Sequence, residues 1–449
     1  VNPPRTDRAR LLLVLALAAA VTVFTATVPL LRDWFDLRVY HGTVHHWTDG
    51  GRLYDYRVPG TPYGFTYPPF AALALLPLAL VTVGTAVMLA LLVNLTALAV
   101  CLRLLTGPAW RRYGWYGCSL AACVLALYEP VRDTVSFGQV NLVLLALVLA
   151  DARLLATGRG RLAGAGIGLA AAIKLTPALF IGLLLLTRRG RAAALATGVA
   201  AGATACAAWV APDASRFYWT RALWDTGRVG RLDYVSNQSV QGVLARLGLT
   251  GHAVWAVAVL LVLGVWAWRS RRAAAAGDWP AAFALTALTA CLVSPVTWVH
   301  HLVWLLPAFA VLMRAGRTRW AGALYAVLCT SVVWLWVDDT SGVDGFLGSN
   351  AYTWITLGLL LWLPAGHSTG IRPNSSRSAS ATAPAPSTAA AATAAPPAQP
   401  GPVPAGTAAA AGTTSGPGLG RARRASSDPT GSTRPAASKP QSSSERASS

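Results

Sequence analysis

Residues 34–70, WFDLRVYHGTVHHWTDGGRLYDYRVPGTPYGFTYPPF, interrupt an otherwise apolar chain with a polar, aromatic segment punctuated by glycine and proline. The apolar run 11–31 precedes it and another begins at Pro69. Alternating apolar runs and polar interruptions read as membrane helices and their connections, and a plain connection is short. This one is long. It carries Asp36, Asp49, Asp55, His41, His45 and His46, follows directly on Asp33, and closes on Tyr67-Pro68-Pro69, a stop for any incoming regular element. Such a stretch, with Asp36 at the mouth of a helix, reads as an active-site loop held by a membrane scaffold.

The composition agrees with a scaffold of that kind. Apolar residues make up 54% of the chain and charged ones 12%, far from the balance of soluble proteins. The expected fold class is an all-α polytopic membrane protein. The net charge of +20 does not indicate nucleic acid, because the arginines stand in short clusters between apolar runs, where they report topology. The six cysteines lie in or beside apolar runs without metal-ligand spacing and read as small apolar packers. Arg5, Arg8 and Arg10 before the first apolar run could suggest a signal peptide. The run is too long and no small-residue cleavage site closes it, so a retained first helix is expected.

Spans are expected at about 11–31, 82–104, 115–128, 139–156, 162–173, 176–187, 192–210, 252–268, 280–293, 299–313, 320–337 and 351–364. This gives about twelve, with ten or eleven the alternatives because several runs are short. The piece 69–80 is too brief to span and reads as interfacial or re-entrant. Arginine clusters fall at every second connection: Arg103, Arg111 and Arg112; Arg153, Arg159 and Arg161; Arg188, Arg189 and Arg191; Arg269, Arg271 and Arg272; Arg314, Arg317 and Arg319. The positive-inside rule then places both termini in the cytoplasm of a plasma-membrane protein. Residues 1–365 form one membrane domain. Residues 366–449 are rich in Ala, Pro, Ser and Thr, cannot bury enough apolar surface to offset ordering, and read as a disordered cytoplasmic tail.

On this topology the unusual polar residues converge on the external face: Asp36, Glu129, Arg132, Asp133, Gln139, Asn141, Lys174, Asn237, Gln238, Ser239, His300, His301, Asp338, Asp339 and Asp344. Mere connectors would spread them over both faces. One external site at the membrane surface follows. Each residue also has a bland reading. Asp36 could balance Arg32 or Arg38. Lys174, the single lysine of the membrane domain, could snorkel, or could serve as a phosphate ligand beside its proline turn. Gln139 and Asn141 could only cap the helix they open. Asn237-Gln238-Ser239 fits a glycosylation sequon, but the amides are expected to bind sugar or phosphate. His300-His301 could be interfacial, or could meet an anionic leaving group or shuttle a proton. The His41, His45 and His46 spacing matches no strong metal motif, so neither a metal nor another cofactor is expected.

Read together in order, F-D-x-x-V-Y at Phe35–Tyr40, L-Y-D at Leu53–Asp55, F-T-Y-P-P at Phe65–Pro69, G-Q-x-N at Gly138–Asn141, I-K-L-T-P at Ile173–Pro177, N-Q-S at Asn237–Ser239 and S-P-x-x-W-x-H-H at Ser294–His301 resemble glycosyltransferase family 87. These are actinobacterial, polyprenyl-phosphate-sugar-dependent mannosyltransferases of GT-C architecture, with long periplasmic loops. The resemblance runs from about residue 30 to 365 and does not cover the tail. It implies transfer of mannose from a polyprenyl-phosphate-mannose donor to a glycolipid acceptor of the phosphatidylinositol mannoside or lipomannan type, typically through an α-(1→2) link, on the periplasmic side. It assigns the general base to Asp36 and a catalytic role to His300 or His301. Arg38, Tyr40, Tyr67, Gln139, Asn141, Lys174, Asn237 and Gln238 are the expected donor- and acceptor-binding residues. Some relatives transfer arabinofuranose in place of mannose. Two other classes stay open: a transporter or flippase for a lipid-linked sugar, and an envelope scaffold. Transporters place ionisable groups near the midplane on broken helices, and clustering at one face favours an enzyme.

Overall fold

The structure is a computed structural model describing residues 6–27, 33–107, 109–158, 160–249 and 251–366. Arg5, Arg32, Arg159, the end of the first apolar run (28–31) and the Ala/Pro/Ser/Thr-rich segment from 367 onward lie outside the described residues. Within them the chain is helical, with a single isolated β-bridge between Arg57 and Gly64.

Four described helices have the length and apolarity to cross a bilayer: Asp7–Thr27, Val83–Thr106, Gly190–Val210 and His252–Ala275. Glu129–Phe137 and Asn141–Ala156 would make a fifth, bent by 118°. The expected count of about twelve therefore meets a different picture. Several expected spans are apolar helices of 10–17 residues, interrupted where proline or glycine breaks the ladder. The run 299–314, for instance, is a tight 3₁₀ stretch, Val299–Leu305, passing into Leu306–Arg314 at Pro307.

Trp279–Val293 is the centre of the bundle. Asp278 caps it by accepting the Ala281 N–H at 3.2 Å, Pro280 suits its first turn, and Pro295 prevents its continuation. Ala281 to Leu292 are buried on every face, as expected of a helix apolar all round. His252–Ala275, Ala351–Trp362 and Leu306–Arg314 pack about it. At one end Arg314 pairs with Asp278 at 3.8 Å, Arg189 lies over the Trp279 ring at 4.5 Å, and Arg269 donates to the Leu360 and Leu363 carbonyls. The opposite end gathers Pro295, Thr297, Asn237 and Ser349. The bundle thus has an arginine-rich end and an amide- and aromatic-rich end.

The polar stretch 34–70, expected as a loop, is partly helical. Phe35–Thr48 is a helix whose Leu37, Tyr40 and Val44 form a buried stripe at i, i+3 and i+7. With Leu53, Tyr54, Phe65, Ala71, Ala72 and Tyr218 it builds a second apolar core outside the main one. Each fully buried large side chain there contributes roughly 1.5–3 kcal/mol to holding the segment down. Pro69–Leu75, continued by Leu76–Leu80, is short as expected and supports this layer. The polar region after residue 211 likewise contains helices, Pro212–Thr220 and Val240–Arg246, the latter capped by Ser239 on the Gly242 N–H at 3.0 Å.

Gly138 sets where the Phe35–Thr48 helix docks. It adopts φ +70° between the two bent helices, and a Cβ there would fall 2.6 Å from Leu37 Cβ. Glycine removes both the left-handed strain and the clash. The Trp34 N–H then reaches the Ser136 carbonyl at 2.9 Å, starting the helix beside Gln139.

Candidate active site

A cavity of about 680 Å³ opens where these layers meet, a volume suited to a small-molecule headgroup. Its walls include Asp36, Tyr67, Gln139, Lys174, His300 and His301, together with Trp298, Tyr234, Trp334 and Arg228. Six residues expected from sequence, scattered over 265 positions from Asp36 to His301, share this one space.

Asp36 occupies the first turn of Phe35–Thr48, half-buried at the wall. Gln139 Nε2 donates to its Oδ2 at 2.8 Å. The Gln139 amide cannot easily turn over, because the Tyr40 and Tyr67 hydroxyls both lie 3.0 Å from its Oε1 and 3.0 Å from each other. Hydroxyl donors on the oxygen fix the NH₂ toward the carboxylate. Burial pushes the Asp36 carboxyl up to about 6, opposed by the Gln139 hydrogen bond and then by the Lys174 charge.

Lys174 stands in the extended break between Ala165–Ile173 and the next helical turn. Its Nζ donates to Asn141 Oδ1 at 3.0 Å, lies 3.4 Å from the Tyr67 hydroxyl and sits 2.8 Å from His301 Nε2. The Trp298 main-chain N–H donates to His301 Nδ1 at 3.1 Å. A neutral ring with Nδ1 accepting carries its proton on Nε2, facing the lysine nitrogen. That favours the amine form of Lys174, the same direction as burial, which pulls it down to about 7. His300 is buried edge-on against Phe137 at 5.0 Å and His301 at 4.5 Å. Its carbonyl accepts from the Thr134 hydroxyl and Asn141 Nδ2.

The other residues expected at the site do not line the cavity. Arg38 points away: it is exposed, pairs with Asp33 at 2.9 Å and does not line the cavity. Asn237 and Gln238 are fully buried and braced elsewhere. Asn237 donates to the Leu232 and Pro295 carbonyls and accepts the Thr297 N–H. Gln238 donates to Val235 and Ser349 carbonyls and accepts from the Thr353 N–H and hydroxyl. Saturated amides of this kind clamp loops and have nothing left for a sugar, and burial equally closes the sequon. Tyr40 and Asn141 stand behind the cavity wall, positioning Gln139 and Lys174. Gln238→Ala is accordingly expected to lower thermal stability, at about 1–3 kcal/mol for each buried partner left unmet. The KM for a bound ligand should stay within twofold, and a selective KM rise would return Gln238 to the binding site.

Trp334, Tyr234 and Arg228 were not singled out from sequence. The Trp334 indole donates to the buried Glu129 carboxylate at 2.6 Å, and Tyr234 lies edge-on to both Trp334 and Trp298. Tryptophan is frequent in this chain, so composition gave no signal. Only the pairing of Trp334 with a buried acid marks it.

The description of glycosyltransferase family 87 matches residues 65–295. Over 361 residues the chain is 34% identical to a polyprenol-phosphate-mannose-dependent alpha-(1-2)-phosphatidylinositol mannoside mannosyltransferase of Mycolicibacterium smegmatis, covering 71% of this chain and 81% of that protein. The protein of that description from Mycobacterium tuberculosis is 34% identical over 376 residues, 76% of this chain and 87% of its own. A phosphatidylinositol pentamannoside mannosyltransferase of Mycobacterium tuberculosis is 34% identical over 334 residues, 72% and 76% respectively. No solved structure matches. Asp36, His300 and His301 lie outside the stretch 65–295, so the case for their roles is geometric.

Proposed function

The chain belongs to glycosyltransferase family 87, and from that premise we propose that it transfers mannose from polyprenyl-phosphate-mannose to a phosphatidylinositol mannoside acceptor, forming an α-(1→2) link. The observation that carries the reading is the pairing, in one cavity, of an oriented carboxylate with the buried nitrogens of Lys174 and His301.

The chemistry needs a base for the acceptor hydroxyl and a counter-charge for the departing phosphate. Asp36 offers Oδ1 to the hydroxyl while Gln139 holds Oδ2. As the acceptor oxygen attacks the anomeric carbon, its proton passes to Asp36 and the bond to the phosphate oxygen breaks. One displacement inverts that centre, so an α product requires a β-linked donor. The phosphate leaves as a stable anion beside Lys174 and His301, whose Nζ and Nε2 atoms lie 2.8 Å apart. An arriving phosphate favours the ammonium form of Lys174 and completes a charge-assisted contact. His300 and His301 act on this leaving side.

The membrane placement we propose is a plasma-membrane protein with the cavity on the periplasmic side and both termini cytoplasmic. The arginine-rich end of the bundle lies opposite the cavity residues, in keeping with the positive-inside rule. The short apolar helices complete about twelve crossings in pairs and bends, and residues 1–365 carry the chemistry. A lipid-sugar transporter would need a path for the headgroup past the base. The Gln139-locked carboxylate favours catalysis.

The test is incubation of membranes containing the protein with radiolabelled polyprenyl-phosphate-mannose and phosphatidylinositol mannosides. A new α-(1→2)-linked mannolipid is expected. A blank with this donor and product with polyprenyl-phosphate-arabinose would change the sugar. A blank with both, with label moving across vesicles unchanged, would replace the enzyme by a transporter.

The pH dependence has a definite sign. The base form of Asp36 is the carboxylate, so transfer falls as pH drops through about 6. Gln139→Met removes a hydrogen bond that lowers the Asp36 pKa. The acidic limb of the kcat/KM profile is expected to move to higher pH. An unmoved limb would mean that another group titrates.

A further inference from the structure

A second cationic centre lies at the cavity wall, with Arg228 lining the cavity and Arg57 behind it. Arg228 Nη2 and Arg57 Nη1 both donate to the same acceptor, the Tyr54 carbonyl oxygen, each at 2.9 Å. Arg57 Nη1 also donates to the Tyr56 carbonyl at 2.9 Å. Among the described residues neither guanidinium has a carboxylate within ion-pair distance. Arg231, the other arginine lining the cavity, is by contrast bound twice by Asp233, at 3.1 and 2.7 Å. Arg228 Nε is buried and meets no acceptor.

Two like charges converging on one carbonyl repel, and the fold spends structure to bring them there. Gly64, on the cavity wall, lets Arg57 close in: a Cβ would stand 2.8 Å from Arg57 Nη1 and 2.2 Å from the Tyr56 carbonyl. Tyr54 is immobilised by its stack on Tyr218, by Phe217 and by its hydroxyl donating to the Tyr67 carbonyl at 2.7 Å. Arg228 lies over the Phe217 ring at 5.4 Å. Burial and then the Arg57 charge push the Arg228 pKa down, the condition that a bound anion relieves. Asp225, which lines the cavity beside Arg228, and Asp55 are the carboxylates whose charge acts on Arg228, and both are exposed.

We propose that Arg57 and Arg228 form a binding site for the phosphodiester of the lipid acceptor, separate from the site of the donor phosphate. The donor phosphate leaves from the face of the anomeric carbon opposite the attacking hydroxyl, so it lies across one sugar ring from Asp36, and the cation within electrostatic reach of Asp36 is Lys174. The charges that act most on Arg228 are those of Arg57, Asp225, Tyr54 and Asp55. An anion site removed from the base suits the substrate whose hydroxyl reacts at one end and whose phosphodiester lies at the other. Paired guanidinium groups suit phosphate oxygens better than a single ammonium does. The assignment rests on the transferase reading for the identity of the acceptor, and on the arginine geometry for the site.

The experiment compares the full-length wild type with the double variant Arg57→Gln/Arg228→Gln in detergent. A first readout is kcat/KM for a phosphatidylinositol mannoside relative to an uncharged alkyl mannoside. The double variant is expected to lower that ratio about tenfold or more, the scale of one lost charge-assisted contact, and Arg57→Lys/Arg228→Lys to recover part of it. An unchanged ratio, or a rise in donor KM equal for both acceptors, overturns the proposal. A second readout needs no turnover: the shift in Tm caused by glycerophosphoinositol and by inorganic phosphate. Glycerophosphoinositol is expected to stabilise the wild type and not the Gln variant. Equal shifts in both proteins, or equal shifts with inorganic phosphate, overturn it. Loss of mannose transfer in the wild type with the selective shift retained would sink the transferase reading and leave the anion site standing.

Discussion

Asp36→Asn is expected to slow mannose transfer by roughly 10²–10⁴-fold, the usual contribution of a positioned general base. The substitution keeps size and shape, and an amide oxygen can still accept the Gln139 N–H seen at 2.8 Å. Folding and donor KM should therefore stay near wild type while kcat falls. The residual rate should also lose the acidic limb near pH 6, because the titrating group is gone. Single-turnover transfer of labelled mannose in matched membranes measures this. A rate within a few-fold of wild type would remove Asp36 from the mechanism and leave its burial beside Lys174 unexplained.

Lys174→Met is expected to raise donor KM by about 10–100-fold, the range for losing a hydrogen bond to a charged group. Methionine retains the apolar stem and removes the nitrogen, so packing in the wall is largely kept. It also frees His301 Nε2 and Asn141 Oδ1, which both face Nζ within 3.0 Å. Some loss of kcat should accompany the KM effect if the same nitrogen meets the departing phosphate. Donor titration at saturating acceptor separates the two constants. Unchanged donor saturation would reduce Lys174 to a snorkelling side chain.

The two variants separate the halves of the reaction. Asp36 acts on the acceptor hydroxyl and Lys174 on the donor phosphate, yet they influence each other through burial in one cavity. Gln139 stands between them with both amide atoms occupied. Its fixed orientation is what lets one carboxylate oxygen face outward.

Much of this was legible in the order of residues. Apolar runs and arginine clusters gave a helical membrane protein. The rarity of lysine drew attention to Lys174, and the motifs around Asp36, Gln139 and His301 drew attention to residues that line one cavity. Such signals are local: a run length, a missing residue type or a short spacing survives without knowledge of neighbours. The helix Phe35–Thr48 reads as loop from sequence: its stripe Leu37, Tyr40 and Val44 is present there, but Gly42 and the histidines lower its apolar contrast.

Other decisions belonged to tertiary structure alone. Arg38 and Arg228 are the same residue type in polar stretches, yet one turns outward to Asp33 and the other into the cavity. Asn237 and Gln238 resemble binding amides in sequence, but their partners, Pro295, Thr297, Ser349 and Thr353, come from elements far along the chain. A polar side chain binds ligand or braces a loop according to which distant groups reach it first. The sequence determined which segments are helical and apolar and which side chains could do chemistry. Only the packing of those segments decided which polar groups remained open to the cavity, because an amide or guanidinium saturates on whatever acceptors the fold brings within 3 Å.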